Sequence, residues 1–381
     1  MLNFSNVPYF DDHTHAVDIA TKTISPLDFV KVMKHGHKSA SPMFGMTADE
    51  SLKFLCTHMG VAEVMINRMA QYFGCEADID TVIAARNKLC AEIGPKAYAY
   101  RLYKDAKIIG TTVDLPWALH EEKEACFGCP AYRLYQMDPM IEKLQAESAS
   151  YDELLDKFTA TFTKAIDDGY CGFKAHIGET YSFAIRNVSD EEARAAFNDL
   201  EQYENCRTVY YALFAKGLKL CMEKGSIIHV HTGCTGGAKF GLIEKTNPQL
   251  MIPFLNTPEY IHSPLVLLHC NYPNVRAAAE MAHTFPNVWV DLAWVLPWAA
   301  LEMPELLKTV IGIAPHNKIM LGTGQHMLPE IAWVSAFIAR KSLEKVLTEE
   351  VEIGFLSEPQ AQEIAELLMY KNALNLYHYH I

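Results

Sequence analysis

The chain has 381 residues, of which 50% are hydrophobic and 21% charged, with a formal net charge of −13 and a mean hydropathy of −0.01. That is the make-up of an ordinary globular protein with ample material for a core, and disorder is not indicated. The acidic balance argues against nucleic acid as a partner, since that affinity rests on basic clusters, and apolar stretches such as Leu292–Leu301 are too short for a bilayer, which takes about 20 residues.

Eight β-rich or apolar segments stand at intervals along the chain. Val7–Phe10 comes first and leads into Asp11-Asp12-His13-Thr14-His15. Ile108–Leu115, Ala131–Tyr135, Cys171–His176, Ser226–His231, Leu265–His269, Val288–Leu292 and Lys318–Gly322 follow. Helical patterns lie between them, among them Tyr151–Asp168, Asp190–Glu204, Thr208–Lys224, Val275–Phe285 and Leu301–Ile313. Strands alternating with helices predict parallel βαβ units, and eight of them suit a closed (β/α)8 barrel better than an open sheet. One stretch breaks the rhythm. Pro26–Lys107 reads as helix after helix (Pro26–His35, Ala48–Phe73, Asp80–Ile93), which predicts a helical insertion between strands one and two serving as lid, substrate wall or subunit interface. Residues 1–381 are therefore expected to form one domain.

The N-terminus lacks the basic and then apolar regions of a secretory leader, and ten cysteines in this length are too sparse for a disulfide scaffold. Cys126 and Cys129 have CxxC spacing without a second pair and read as two thiols in a loop. A reduced, cytoplasmic protein is expected.

The residues able to carry chemistry fall at strand ends. His13 and His15 are two apart, so in a strand both imidazoles face the same way and could share a metal, with Asp11 orienting a ligand from behind. Lys174 and His176 close the fourth strand, His229 and His231 the fifth, and His269 the sixth. Active sites of such barrels are built at the C-terminal ends of strands. His229, one pleat deeper than His231, reads as a hydrogen-bonded core histidine. Lys174 is too costly to bury as an unpaired cation, so it must be paired, modified to bind metal, or in contact with an anionic substrate. Arg133, in the third strand, could clamp a substrate carboxylate through its planar fork, or form a structural ion pair.

With these residues in place, the chain resembles the amidohydrolase superfamily of metal-dependent TIM barrels, and within it the amidohydrolase-2 branch. Asp11–His15 is similar to the strand-one DxHxH, and Gly172-Phe173-Lys174 to the strand-four lysine segment, with the Val188–Ala193 helix start after it. His231-Thr232-Gly233 is similar to the strand-five HTG, Val266–His269 to the strand-six histidine, Pro286–Asp291 to the PNVxxD of strand seven, and Asn372–Tyr377 to the closing NAxxLY helix. After strand eight the family has an aspartate that binds metal and moves a proton; here Leu321-Gly322-Thr323-Gly324-Gln325-His326 puts Gly324 in its place. The resemblance implies a metal-dependent hydrolase of an amide, ester or lactone bond in a small, carboxylate-bearing molecule. The metal, zinc or alternatively manganese, as one or two ions, would be held by His13, His15, Lys174 (if carboxylated), His231 and His269. His269 and His326 would be catalytic, and Arg133 and His176 would bind substrate; His326, Glu330 or water could replace the aspartate. A non-oxidative decarboxylase and a ligand-binding barrel without turnover are the alternatives. A small-molecule substrate is the expected partner, and self-association is left open.

Overall fold

The computed structural model describes residues 2–34, 38–114, 123–124, 127–233 and 243–379. Eight parallel strands follow one another around a nearly closed barrel in chain order. They are β1 (Tyr9–Thr14), β2 (Ile108–Asp114), β3 (Ala131–Gln136), β4 (Gly172–Ala175), β5 (Ile228–His231), β6 (Leu265–Leu268), β7 (Val288–Asp291) and β8 (Ile319–Met320). Six lie inside the segments expected from the sequence, while β1 runs on from Phe10 to Thr14 and β3 ends one residue later, at Gln136; the fold is the expected TIM barrel.

Between β8 and β1 the seam is closed by loop backbone and side chains rather than by a regular ladder. Gly324 N–H donates to His13 O at 2.7 Å and His15 N–H to Gln325 O at 2.7 Å. Asp11 accepts from both the backbone N–H (2.7 Å) and the hydroxyl (2.6 Å) of Thr323. The expectation that Asp11 orients a histidine is thus corrected. Its carboxylate is used up in joining the first strand to the last.

Among the described residues of the range 26–105 are five helices, Pro26–Met33, Ala48–Thr57, Gly60–Phe73, Ile79–Ile93 and Pro95–Asp105. Local chemistry sets their ends. Ser25 caps the first, Thr47 and Glu50 form a reciprocal capping box on the second, and Pro26 and Pro95 occupy first-turn positions where a missing N–H costs nothing. The pattern expected as one helix over Ala48–Phe73 is two, because the chain leaves helical geometry at His58 and Met59. The insertion reaches the barrel mouth: the Trp298 indole N–H donates to Met33 O, and Tyr103 OH meets Gln325 Nε2 at 2.7 Å.

Opposite the mouth, the C-terminal helix Asn372–Tyr377 closes the barrel floor. Asn372 donates to His316 O and Ile319 O, both at 2.7 Å, which fixes the start of β8. Phe10, Val266, Leu268 and Met320 fill the lower interior against Tyr377 and Tyr379. Tyr377 OH donates to Asp12 Oδ1 at 2.8 Å and lies 2.9 Å from His229 Nε2, so His229 is the core histidine the pleat predicts. No helix among the described residues is long and apolar enough to cross a membrane.

Candidate metal centre at the barrel mouth

The upper ends of β1, β2, β4, β5 and β6 deliver a set of imidazoles and carboxylates into the mouth. His13 is 1% exposed and its ring lies 5.1 Å from that of His15, nearly perpendicular. Asp114, the last residue of β2, joins them. Ligand atoms of His13, His15 and Asp114 all lie within 4.8 Å of one another. His15 Nδ1 donates to the Asp114 backbone oxygen at 3.0 Å, which leaves Nε2 as its lone-pair nitrogen. His13 Nδ1 is buried and has no hydrogen-bond partner.

The electrostatics suit a cation in this place. Burial, reinforced by the nearby charge of Lys174, holds the His13 imidazole well below the usual range, so it is a neutral, ligating base. Burial also depresses the Lys174 ammonium, opposed first by Asp114 and then by Glu179. Burial works to raise Asp114, yet His15, Lys174 and His176 together bring it below its ordinary value, leaving an ionised carboxylate among the histidines. Asp114 also accepts from Gln136 Nε2 at 2.7 Å, which fixes its orientation.

Beside this set, His176, Glu179 and His231 form a second one, again with ligand atoms within 4.8 Å. His269 stands at the edge of both, 5.9 Å from His13 and 4.3 Å from His231 between ring centroids. The expected ligands therefore do not make one shell: His13 and His15 converge with Asp114, and His231 with His176 and Glu179. Neither Asp114 nor Glu179 is among the residues expected from the sequence. Asp114 carried a usable signal, as an acid closing a barrel strand. Glu179 did not, because it sits on a single turn, Ile177–Thr180, after β4.

Arg133 is not part of the mouth. Gln136 faces inward to Asp114, so strand alternation puts Leu134 and Tyr132 on the inner face and Arg133 on the outer one, where it is exposed. The substrate-clamp role given to it is corrected on that ground. Glu330, a candidate replacement for the aspartate, is buried and taken by Arg86, whose Nε donates to it at 2.9 Å. His326 is at the mouth. Its ring stacks on Trp298 at 5.5 Å with planes 6° apart, and its centroid is 6.4 Å from that of His15. Cys126 lies outside the described residues.

A family model for amidohydrolases matches residues 171–379, more than half of the chain. The chain belongs to the amidohydrolase family. Protein fluG of Emericella nidulans is 31% identical over 151 residues, 39% of this chain, and the chain spans 17% of the length of that relative. The fold is shared with a Lactobacillus casei protein assigned as a metal-dependent hydrolase, at TM-score 0.82 and 17% identity, covering 99% of this chain and 98% of that one. Uronate isomerase of Thermotoga maritima follows at 0.70 and 17%, covering 98% and 95%. That of Bacillus halodurans C-125 stands at 0.69 and 12%, covering 99% and 94%.

Gly324 stands where the resemblance places the family's aspartate. Gly324 takes the backbone to φ +62°, and a Cβ placed there would come 2.5 Å from Trp294 N and 2.8 Å from Trp294 Cα. Trp294 is itself in a rarely adopted conformation, φ 64°, as are His269 (66°), Cys270 (47°) and Asn271 (54°). Left-handed backbone at consecutive non-glycine residues persists only where the surroundings impose it, and it clusters at functional sites. Here Thr232 Oγ1 accepts from Asn271 N–H at 2.9 Å, and His269 Nδ1 bonds Ala293 O at 2.8 Å. The loop after β7 thus packs where the aspartate side chain would have stood.

Proposed function

We propose that this amidohydrolase is a metal-dependent hydrolase that opens an amide, ester or lactone bond of a small molecule, with zinc, or alternatively manganese, held by His13, His15 and Asp114. The observation that supports it most directly is His13 Nδ1, a buried nitrogen with no hydrogen-bond partner beside an ionised carboxylate. Leaving such a group unsatisfied costs about 1–3 kcal/mol, and a divalent ion is the partner that imidazole and carboxylate donors suit. When bound, such an ion polarises a carbonyl and lowers the pKa of a water towards about 7.

The other roles belong to this chain's own groups. His326 Nδ1 lies 3.2 Å from Gly324 O, which can only accept, so Nε2 is the accepting nitrogen. Burial pushes the His326 imidazole down to about 4, which keeps it neutral and able to take a proton from an attacking water. His326 then does the proton work for which Gly324 has no side chain. Lys174, whose ammonium is disfavoured by burial, is the residue that carboxylation would turn into a further ligand. His269 gives its Nδ1 proton to Ala293 O, which leaves Nε2 a lone pair suited to binding metal. With Arg133 on the outer face, the expected carboxylate on the substrate loses its support. The proposed partner is a small molecule and the proposed compartment is the cytoplasm.

The test is chelation, reloading and product analysis. A chain of this length unfolds with an entropy of roughly 0.8 kcal/mol/K, and free ion at 100 times Kd adds about 2.7 kcal/mol, so Tm should rise by about 3 °C with Zn²⁺. Hydrolysis of members of an ester, lactone and amide panel should appear with it, and His13→Asn should abolish both. Loss of CO2 from an unsaturated acid would replace the hydrolase with a decarboxylase. No retained ion, no Tm rise and no turnover would leave a binding barrel.

A further inference from the structure

His13 and His15 are not held alike. His13 is 1% exposed and packed into the barrel, whereas the side chain of His15, just past the end of β1, is 40% exposed. Packing does not fix such a ring, so its backbone must be held, and Gln325 holds it on both sides. The Gln325 carbonyl accepts from His15 N–H at 2.7 Å, and the Gln325 side chain donates from Nε2 to His15 O at 3.3 Å. With the ring's Nδ1 donating to Asp114 O at 3.0 Å, the direction of its Nε2 is set. Gln325 is anchored in turn by its own N–H, which donates to Thr323 Oγ1 at 3.1 Å, and that hydroxyl donates to Asp11.

This clasp depends on which way the Gln325 amide is turned. His15 O can only accept, so the amide nitrogen faces it. That nitrogen has two hydrogens and three acceptors: Tyr103 OH at 2.7 Å, Thr14 Oγ1 at 3.2 Å and His15 O at 3.3 Å. Oε1 is buried without a hydrogen-bond partner, so the amide is held from its nitrogen side, and the shortest bond there is to Tyr103. Tyr103 belongs to Pro95–Asp105, the last helix of the insertion, and is fully buried. Burial and the nearby Asp11 push its phenol well above the usual range, so the hydroxyl stays protonated. The end of its helix is tied to the long helix Pro329–Glu352, where Trp333 Nε1 donates to Asp105 Oδ2 at 2.6 Å and Arg340 Nη2 to Ala106 O at 2.7 Å. Tyr103 OH is thus a fixed point against which His15 is set.

We propose that the helical insertion sets the affinity of the His13–His15–Asp114 centre for its ion, with Tyr103 as a positioning residue that acts on His15 through Gln325. The inference rests on the metal-dependent reading proposed above. Without the Tyr103 hydroxyl the amide loses its shortest bond and can turn, bringing Oε1 towards the Thr14 hydroxyl. His15 O then loses its donor, and a half-exposed ring has to be ordered when the ion binds rather than before it. Such loss of preorganisation is paid in affinity.

The experiment is a competition titration of the chelated full chain with Zn²⁺ against a chromophoric chelator, beside calorimetry for Tm. Tyr103→Phe should weaken binding about tenfold, the lower end of what losing an outer-shell partner costs, and Gln325→Met at least as much. The double variant should bind no more weakly than Gln325→Met, because Tyr103 acts through that amide. Ser51→Ala, which removes a hydroxyl accepting from Met43 N–H at 2.9 Å elsewhere in the insertion, should lower Tm and leave the affinity unchanged. Circular dichroism checks that each variant is folded, and if Gln325→Met is not, Tyr103→Phe against Ser51→Ala decides. The inference is overturned if Tyr103→Phe binds as tightly as wild type, if its loss adds in full to that of Gln325→Met, or if Ser51→Ala loses as much affinity. In each of those cases an ion lost in His13→Asn leaves the centre itself standing. A wild type that holds no ion, or an ion kept unchanged in His13→Asn, removes the centre and this inference with it.

Discussion

Restoring the family's aspartate at Gly324 should fail, and the structure says by how much. An L-residue in the left-handed region costs about 1–2 kcal/mol, and forcing atoms into a filled space costs about 1–3 kcal/mol more. At Gly324 both apply: φ is +62° and the new Cβ would sit 2.5 Å from the backbone nitrogen of Trp294. Gly225 is the control. It ends the helix Tyr203–Lys224 at φ 70° with nothing within 4 Å of its Cβ position, so only the first cost applies. With an unfolding entropy of roughly 0.8 kcal/mol/K for this length, Gly225→Ala should lower Tm by about 1–3 °C and Gly324→Ala by about 3–6 °C. Gly324→Asp should be destabilised at least as much as Gly324→Ala and should bind Zn²⁺ no more tightly than wild type, because its carboxylate has no room to reach the histidines. Differential scanning calorimetry and a metal-competition titration read both quantities. Equal losses in the two alanine variants, or a Gly324→Asp protein as stable as wild type with tighter metal binding, would refute the reasoning.

Two further outcomes follow from other parts of the fold. Arg86 and Glu330 form a buried ion pair, 5% and 0% exposed, that ties the insertion to the last long helix; Arg86→Met should cost about 3–5 kcal/mol by stranding a buried carboxylate, and Glu330→Leu added to it should recover most of that in urea unfolding. No recovery would show that the pair is not the reason. His326 is held at about 4 by burial, below the ordinary 6.5, so the unfolded chain takes up its proton first as the pH falls. The stability linked to it is whole above about pH 6.5 and is lost between there and about 4, at most about 2 kcal/mol by pH 5. The drop in Tm from pH 7 to pH 5 should therefore be about 1–2 °C smaller in His326→Gln than in wild type, and identical drops would sink the assignment.

The strands were legible because most are short apolar runs ending in a polar residue, and the alternation of such runs with helical patterns admits few architectures. Val266–Leu268 followed by His269, or Val230 followed by His231, shows the point. The mouth histidines were legible for the same reason, as the end of a parallel barrel strand is one place. Partners across strands were not. Asp114 reads as an unremarkable acid at the end of Ile108–Asp114 until β1 is laid beside β2, and Glu179 becomes a site residue only when one short turn is set against β5. Arg133 failed on the pleat: the sequence shows it in a strand, but which face is inner is set by the register that brings Gln136 to Asp114.

The chain alone determined the βα rhythm, the helical insertion pattern between strands one and two, and the loss of a side chain at Gly324, since these are properties of local patterning and residue type. Tertiary structure decided which donors share a space, that Asp11 joins β1 to the segment after β8, that Glu330 belongs to Arg86, and that Trp294 fills the place left at Gly324. Those are contacts between residues far apart in the chain, and only the closing of the barrel fixes their distances.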